Sequence, residues 1–259
     1  NIINLADSHS LVDAPIASGS YFGNDLDLLV MNGDIIDNSG NIASFKIIYR
    51  ISGGITKGEV PCVYSRGNHE LRGIYASQLA EYTPTDHGNS YFTFRVGPIW
   101  GIVMDAGEDK PDDNAEYGNT VACEAFREEE SEFLDKVIAS REWEGAKVKL
   151  IISHVPFVIK MSAPYNIEEE RYADWSRKLA SIEPTLWMTG HFHQCFFELP
   201  GERAKTFGYP CPFLCSSYSD TSKREHTSGA VTITDDKITA RYVTEKGVVT
   251  GERTVDRWR

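Results

Sequence analysis

Five short apolar runs in this chain each lead, within a few residues, into side chains of the kind that ligate metals. The segments are Asp7-Ser8-His9, Gly33-Asp34-Ile35-Ile36-Asp37, Gly67-Asn68-His69-Glu70, Ser153-His154 and Gly190-His191-Phe192-His193. The runs are β-branched and alternate with amphipathic stretches, which predicts strands separated by helices and an α/β architecture with helices covering the sheet layers. Sheets of this type place their sites beyond the strand ends, so the segments are candidates for one shared site.

Of seven histidines, His9, His69, His154, His191 and His193 fall in these segments, leaving only His87 and His226 outside. Those two sit in polar, Gly- or Ser-containing stretches and are expected at the solvated surface. A lone Asp34 or His154 would ordinarily be a hydrogen-bonded structural residue; the joint pattern points to metal. Carboxylate and amide oxygens mixed with imidazole nitrogens suit first-row ions such as Mn, Fe, Zn or Co better than calcium or a thiolate-bound metal. Gly33, Gly67 and Gly190 are expected to permit positive φ at tight turns that present the donors. Cys62, Cys123, Cys195, Cys211 and Cys215 are odd in number, lack zinc-knuckle spacing, and read as buried or free thiols.

The 259 residues, 41% of them hydrophobic, fit one large α/β domain over 1–259. A net charge of -12, from 38 acidic and 26 basic side chains, argues against a nucleic-acid coat, a membrane-surface partner or a nuclease, all of which need basic tracks. An anionic substrate must therefore meet local positive charge, which two bound divalent cations would supply. No apolar stretch approaches the roughly 18 residues of a membrane span, and nothing resembles a signal peptide. Ile2 and Ile3 already read as strand residues, so a trimmed chain with a leader or domain upstream is compatible with the sequence. A soluble, cytoplasmic protein is the default expectation and a secreted one the alternative.

Strands are predicted at 2–5, 28–31 and 60–64. Between them, Ile42, Phe45, Ile48, Ile51 and Ile55 recur at helical spacing and predict a helix ending near Gly53, Gly54 or Gly58. Gly97-Pro98 predicts a hairpin of 91–96 with 99–104. The acidic stretch 107–118, with Glu108, Asp109, Asp112 and Asp113, is expected to be a solvated loop long enough to overhang a site. Helices are predicted at 124–140 and 168–181, and strands at 148–152 and 185–189. From Phe196 onward come strands without helices, at 213–218, 230–234 and 238–243, read as antiparallel, with a turn at Asp235-Asp236.

Taken in order, the five polar segments resemble the signature blocks of calcineurin-like metallophosphoesterases from Asp7 to His193. The resemblance implies a four-layer sandwich of two mixed β-sheets flanked by helices. It implies that Asp7, His9 and His193 hold one metal ion, that Asn68, His154 and His191 hold a second, and that Asp34 bridges both. One carboxylate has two oxygens and can hold two cations roughly 3.5 to 4 Å apart. Mn, Fe or Zn are the expected ions, and the expected reaction is attack of a metal-activated water on a small organic phosphate or nucleotide, monoester or diester. His69, outside the ligand set, is the expected general acid, a role that the resemblance supports.

Asp37 and Glu70 are candidates to orient a histidine through its second ring nitrogen. Arg66 and Arg72 flank the Gly67 to Glu70 block; Arg72 is the preferred phosphate contact, beside Asn68 and His69. Phe192, Phe196, Phe197 and Trp187 are expected mainly in the core, with Phe192 a candidate for the pocket mouth. Purple acid phosphatases resemble this pattern but carry a tyrosine ligand three residues after the bridging aspartate, where this chain has Asp37, so an iron-tyrosinate site is not expected. Serine/threonine protein phosphatases share the Arg66 to Glu70 arrangement, but the rest of the chain differs from their larger domain. The rival reading is a non-catalytic, metal-binding interaction scaffold on the same fold, whose mark would be a lost ligand or a missing His69.

Overall fold

Successive strand residues face opposite sides of a sheet, and in the inner strands of this chain both sides are apolar. The computed structural model describes residues 1–85 and 87–257. Along the chain run β1 (Ile2–Leu5), α1 (Asp13–Gly19), β2 (Leu28–Asn32), α2 (Lys46–Thr56), β3 (Cys62–Ser65) and the single-turn α3 (Leu79–Tyr82). There follow β4 (Phe92–Val96), β5 (Ile99–Met104), α4 (Cys123–Ser140), β6 (Val148–Ser153), α5 (Glu169–Ala180), β7 (Leu186–Thr189), β8 (Cys195–Glu198) and β9 (Phe213–Ser216). The chain then returns through β10 (Ser219–Asp220), β11 (Glu225–Ile233), β12 (Lys237–Thr244) and β13 (Val249–Asp256).

One sheet has the order β13-β12-β11-β1-β2-β3, with β10 paired to β11; the other has the order β4-β5-β6-β7-β9-β8. Both are mixed. β1, β2 and β3 are parallel while β11 joins β1 antiparallel. β5, β6, β7 and β9 are parallel between antiparallel edges β4 and β8.

The period of two then assigns each residue to a layer. Leu28 and Val30 meet Leu150, Ile152, Leu186 and Met188 between the sheets. Their neighbours Leu29 and Met31 pack under α2 with Phe45, Ile48 and Ile51. Ile151 and Trp187 pack against Leu134 and Val137 of α4 and Trp175 and Leu179 of α5. Three apolar interfaces separate four layers, helix, sheet, sheet, helix, as the resemblance implies.

At the strand ends the inter-sheet interface turns polar. Asn4 donates to Thr189 O at 3.0 Å and Ser216 Oγ at 2.8 Å, while Asn32 donates to Asn4 Oδ1 at 3.1 Å and Met188 O at 3.2 Å. These bonds fix the carboxyl ends of β1 and β2 against β7 and β9, so loops leaving the two sheets start from one fixed frame.

The first amphipathic helix runs through Gly53 and Gly54 and ends, of the three expected positions, beside Gly58, with Lys57 (φ 55°) and Gly58 (φ 76°) in the left-handed region. Gly54 serves close packing: a Cβ there would lie 2.6 Å from the Ile16 side chain of α1. The strand 213–216 is not purely antiparallel material, because Trp187 pairs with Phe213 in parallel register. α1 carries Pro15 and Gly19 within seven residues, and the edge strand β13 is apolar only at Val249 and Val255 apart from Gly251; neither has the periodicity of a buried element.

His87 is exposed as expected, but His226 is fully buried. Its Nε2 donates to Ala6 O at 2.9 Å, and its Nδ1 accepts from Ser18 Oγ at 2.8 Å. Burial pushes its pKa down to about 4. A histidine with a depressed folded pKa contributes stability that is present above about 6.5 and is lost as pH falls toward 4. Between pH 7 and pH 5 the protein should lose roughly 2 kcal/mol through this residue. Urea denaturation of the metal-free protein at both pH values checks it: His226→Gln should show a smaller pH effect, and equal slopes in both proteins would refute it.

Candidate metal centre

The five polar segments begin where the parallel strands end, and their backbone is strained there. Among the described residues, Asp7 (φ 55°), His9 (φ 43°), Asp34 (φ 51°), His191 (φ 70°) and His193 (φ 51°) occupy the left-handed region. Non-glycine residues pay for that conformation, and they concentrate at functional sites where surrounding structure imposes it. Only one of the three motif glycines has positive φ, Gly33 at 78°. Gly67 is required by close approach instead, since a Cβ there would lie 2.3 Å from both Asp34 N and Asp34 Oδ1.

These backbones bring the predicted donors together. His9 Nε2 faces His193 Nε2 at 3.0 Å, and Asp7 Oδ1 lies 3.8 Å from the first and 3.4 Å from the second. Asp34 Oδ2 lies 3.2 Å from His154 Nε2 and 3.9 Å from His69 Nε2. Asn68 Oδ1 meets His191 Nδ1 at 3.1 Å. Three sets of donors are each close enough to share an ion: Asp7, His9 and His193; His9, Asp34 and His69; Asp34, His154 and His191. Asp34 belongs to two of them.

The far ring nitrogens are held as well, which fixes the near ones. His154 Nδ1 donates to Asn32 O at 2.7 Å, leaving Nε2 directed at the carboxylates. His9 Nδ1 is 3.5 Å from Asp37 Oδ1, and His193 Nδ1 is 3.5 Å from Ser219 Oγ. His191 Nε2 is 3.2 Å from Asp109 Oδ2. His69 Nδ1 donates to Asp37 O at 2.8 Å, which turns its Nε2 toward Asp34. Such outer contacts set imidazole tautomer and orientation. Asp37 thus lies beside two of the histidines, and Asp109 and Ser219 lie beside two more that no sequence signal had tied to them.

Burial pushes His9 down to about 4 and also lowers His193, so both imidazoles are neutral. Burial alone would raise Asp34, but His154 and His69 hold it well below the usual carboxylate range. His154 rises to about 10, burial being outweighed by Asp34 and Asp7. Burial pushes Asp7 well above its ordinary value. Among the described residues, buried Asp7 Oδ1 has no hydrogen-bond partner, and buried His154 Nε2 has the Asp34 carboxylate as its ion-pair partner.

Glu70 does not orient a histidine. Fully buried, it accepts the amides of Asp34 (2.9 Å), Ile35 (2.7 Å), Ile36 (3.3 Å) and Gly67 (2.9 Å), clamping two site loops together. Glu70→Ala would orphan these buried donors, and we expect a loss of roughly 3 to 5 kcal/mol. Chemical denaturation measures it; a loss under 1 kcal/mol, in the range of an ordinary surface substitution, would mean that the clamp is dispensable.

The acidic loop is not merely solvated. Glu108 is fully buried and receives Arg72 through Nε at 2.7 Å and NH2 at 2.9 Å. Only Arg72 NH1 reaches toward His69 Nε2, at 3.4 Å, with Glu116 also 3.3 Å away. Arg66 is paired with Asp105 at 2.6 Å. Asp109 also accepts from Tyr117 and Lys110, each at 3.0 Å. Asp112 does meet the main chain of α4, accepting the Cys123 amide at 3.0 Å. The five cysteines are free, as read.

Carboxylate and imidazole groups gathered beyond the strand ends of a four-layer α/β sandwich are the arrangement expected of a metal-dependent hydrolase. The chain belongs to the calcineurin-like phosphoesterases, whose family model matches residues 4–195. No curated protein matches the chain in sequence. Among solved structures it is similar to a purple acid phosphatase from yellow lupin (Lupinus luteus) seeds, with a TM-score of 0.67 and 13% identity. That match covers 99% of this chain and 53% of the lupin chain, so this chain spans about half of that relative. A dimetal phosphatase from Danio rerio matches with a TM-score of 0.66 and 12% identity over 99% of this chain and 98% of its own. GAP50, the anchor in the inner membrane complex of Plasmodium, matches with a TM-score of 0.62 and 13% identity, over 100% and 89% respectively. At these identities the likeness is one of fold. Among the described residues, no helix is long and apolar enough to cross a membrane.

Proposed function

We propose that the chain is a two-metal phosphoester hydrolase acting on small organic phosphates or nucleotides. The observation that carries this reading is Asp7 Oδ1, buried with no hydrogen-bond partner among the described residues and 4.0 Å from His154 Nε2, in a cluster of further imidazoles and carboxylates. Leaving such an atom unsatisfied is costly, and a cation would satisfy it. The mixture of oxygen and imidazole donors fits Mn, Fe or Zn.

In this reading Asp7, His9 and His193 would hold one ion, Asn68, His154 and His191 would hold the other, and the Asp34 carboxylate would serve both. When bound, the ions supply charge for the phosphoryl oxygens and a water acidified to near neutrality. The neutral oxygen of Asn68 limits the negative charge of the site. Asp37 O holds His69 so that Nε2 can pass a proton to the leaving oxygen. Arg72, fixed by Glu108, directs NH1 toward His69, and a phosphoryl oxygen there would compete with Glu116 for it. The scaffold reading expects a lost donor or a missing His69, and the chain retains them all.

The test is turnover after chelation and restoration with Mn²⁺, Fe²⁺ or Zn²⁺, against paired phosphate monoesters and diesters. Hydrolysis should require added metal, and a monoesterase should leave the bis-substituted phosphates almost untouched. Failure on both ester types with every ion would contradict the proposal.

A further inference from the structure

Beside the candidate metal centre lies a small cleft, open to solvent, whose wall includes His191 and Asp109. Phe157 and Tyr172, both from the buried cluster under α5, also line it. Phe192, between two of the candidate ligands, lines it together with Phe207. Met161 and Tyr165 contribute large apolar surfaces that are 40% and 39% exposed. Apolar side chains left exposed around a concave surface are characteristic of ligand sites.

The cleft is built by paired backbone. The loop after β6 and the loop before β9 pair at Ile159 and Thr206. Lys160 N donates to Lys205 O at 2.9 Å and Phe207 N to Val158 O at 2.8 Å. The wall carrying Phe157 and Phe207 is therefore preformed. Of the polar lining residues, Lys160, Asn166 and Glu169 are exposed, with the Lys160 ammonium over the Phe207 ring, while Asp109 and His191 lie on the side of the metal centre. Away from that side the buried part of the cleft is mainly carbon surface.

We infer that this cleft is the subsite for the organic group of the phosphoester, and that the group it takes is apolar, preferably aromatic. The inference rests on the hydrolase reading above. Because His191 is both a candidate metal donor and part of the cleft wall, a phosphoryl group at the centre sets its substituent directly at the cleft entrance. Burial of an aromatic ring there lowers the free energy of the bound state without a new polar contact.

The experiment compares binding of 2-phenylethylphosphonate and ethylphosphonate to the metal-loaded protein by calorimetry. Hydrolysis of the corresponding phosphate esters is followed in parallel; their leaving alcohols have similar acidity, so selectivity reports the cleft. The phenyl compound should bind roughly tenfold tighter or better. Phe207→Ala and the exposed-site variant Met161→Asp should each remove most of that ratio while metal content is unchanged. Equal affinities in the parent, or an unaltered ratio in both variants, overturn the subsite. If neither phosphonate binds and no phosphoester is hydrolysed with any ion, the hydrolase reading itself fails; turnover with a flat ratio rejects the subsite alone.

Discussion

Asp34→Asn should lose bound metal and phosphoester turnover together, with a fall of roughly a thousandfold or more in kcat/KM. The asparagine keeps an oxygen to accept the His69 amide, which donates to Asp34 Oδ1 at 2.9 Å, so the local turn has a reason to survive. What it loses is the negative charge and the second carboxylate oxygen, now 3.2 Å from His154 Nε2. Two-metal stabilisation of a phosphoryl transition state is worth several kcal/mol, and each 1.4 kcal/mol or so is tenfold in rate. Elemental analysis beside the assay reads both effects. A variant with full metal content and full activity would defeat the bridging role.

His69→Ala should separate what Asp34→Asn combines. Its metal content should stay near that of the parent, while turnover falls by roughly 10² to 10⁴, the usual worth of a positioned general acid. The loss should grow as the leaving alcohol becomes less acidic, because a good leaving group needs no proton. The geometry makes this variant informative: His69 Nε2 stands 3.9 Å from Asp34 Oδ2, and His69 falls within one of the three possible ion sites. Loss of a full equivalent of metal would make His69 a ligand and leave the proton donor unassigned. Dependence of the rate defect on leaving-group acidity is a readout that a merely structural role would not produce.

The layers and the donors were legible in sequence because each is fixed locally. Leu28 to Met31 is apolar at every position, so a strand buried on both faces is the natural reading, and each donor follows such a strand closely. The contacts across the site were less legible. Glu108 and Asp109 look like any exposed acidic loop until the fold brings Arg72 and His191 to them. Glu70 resembles a histidine-orienting carboxylate, yet its actual partners are main-chain amides, which leave no trace in side-chain identity. His226 is hard to place for the opposite reason: it lies in a polar-looking strand whose Thr227 and Ser228 are buried, with Ser18 and Ala6 as distant partners.

The account turns on whether Asp7, Asp34 and the histidines around them grip a pair of neighbouring cations. A crystal structure of the Mn²⁺-loaded protein, with anomalous scattering used to locate the metal, tests this most directly. Two peaks roughly 3.5 to 4 Å apart with the Asp34 carboxylate between them are expected. A single peak, or peaks held by residues elsewhere in the chain, would contradict it.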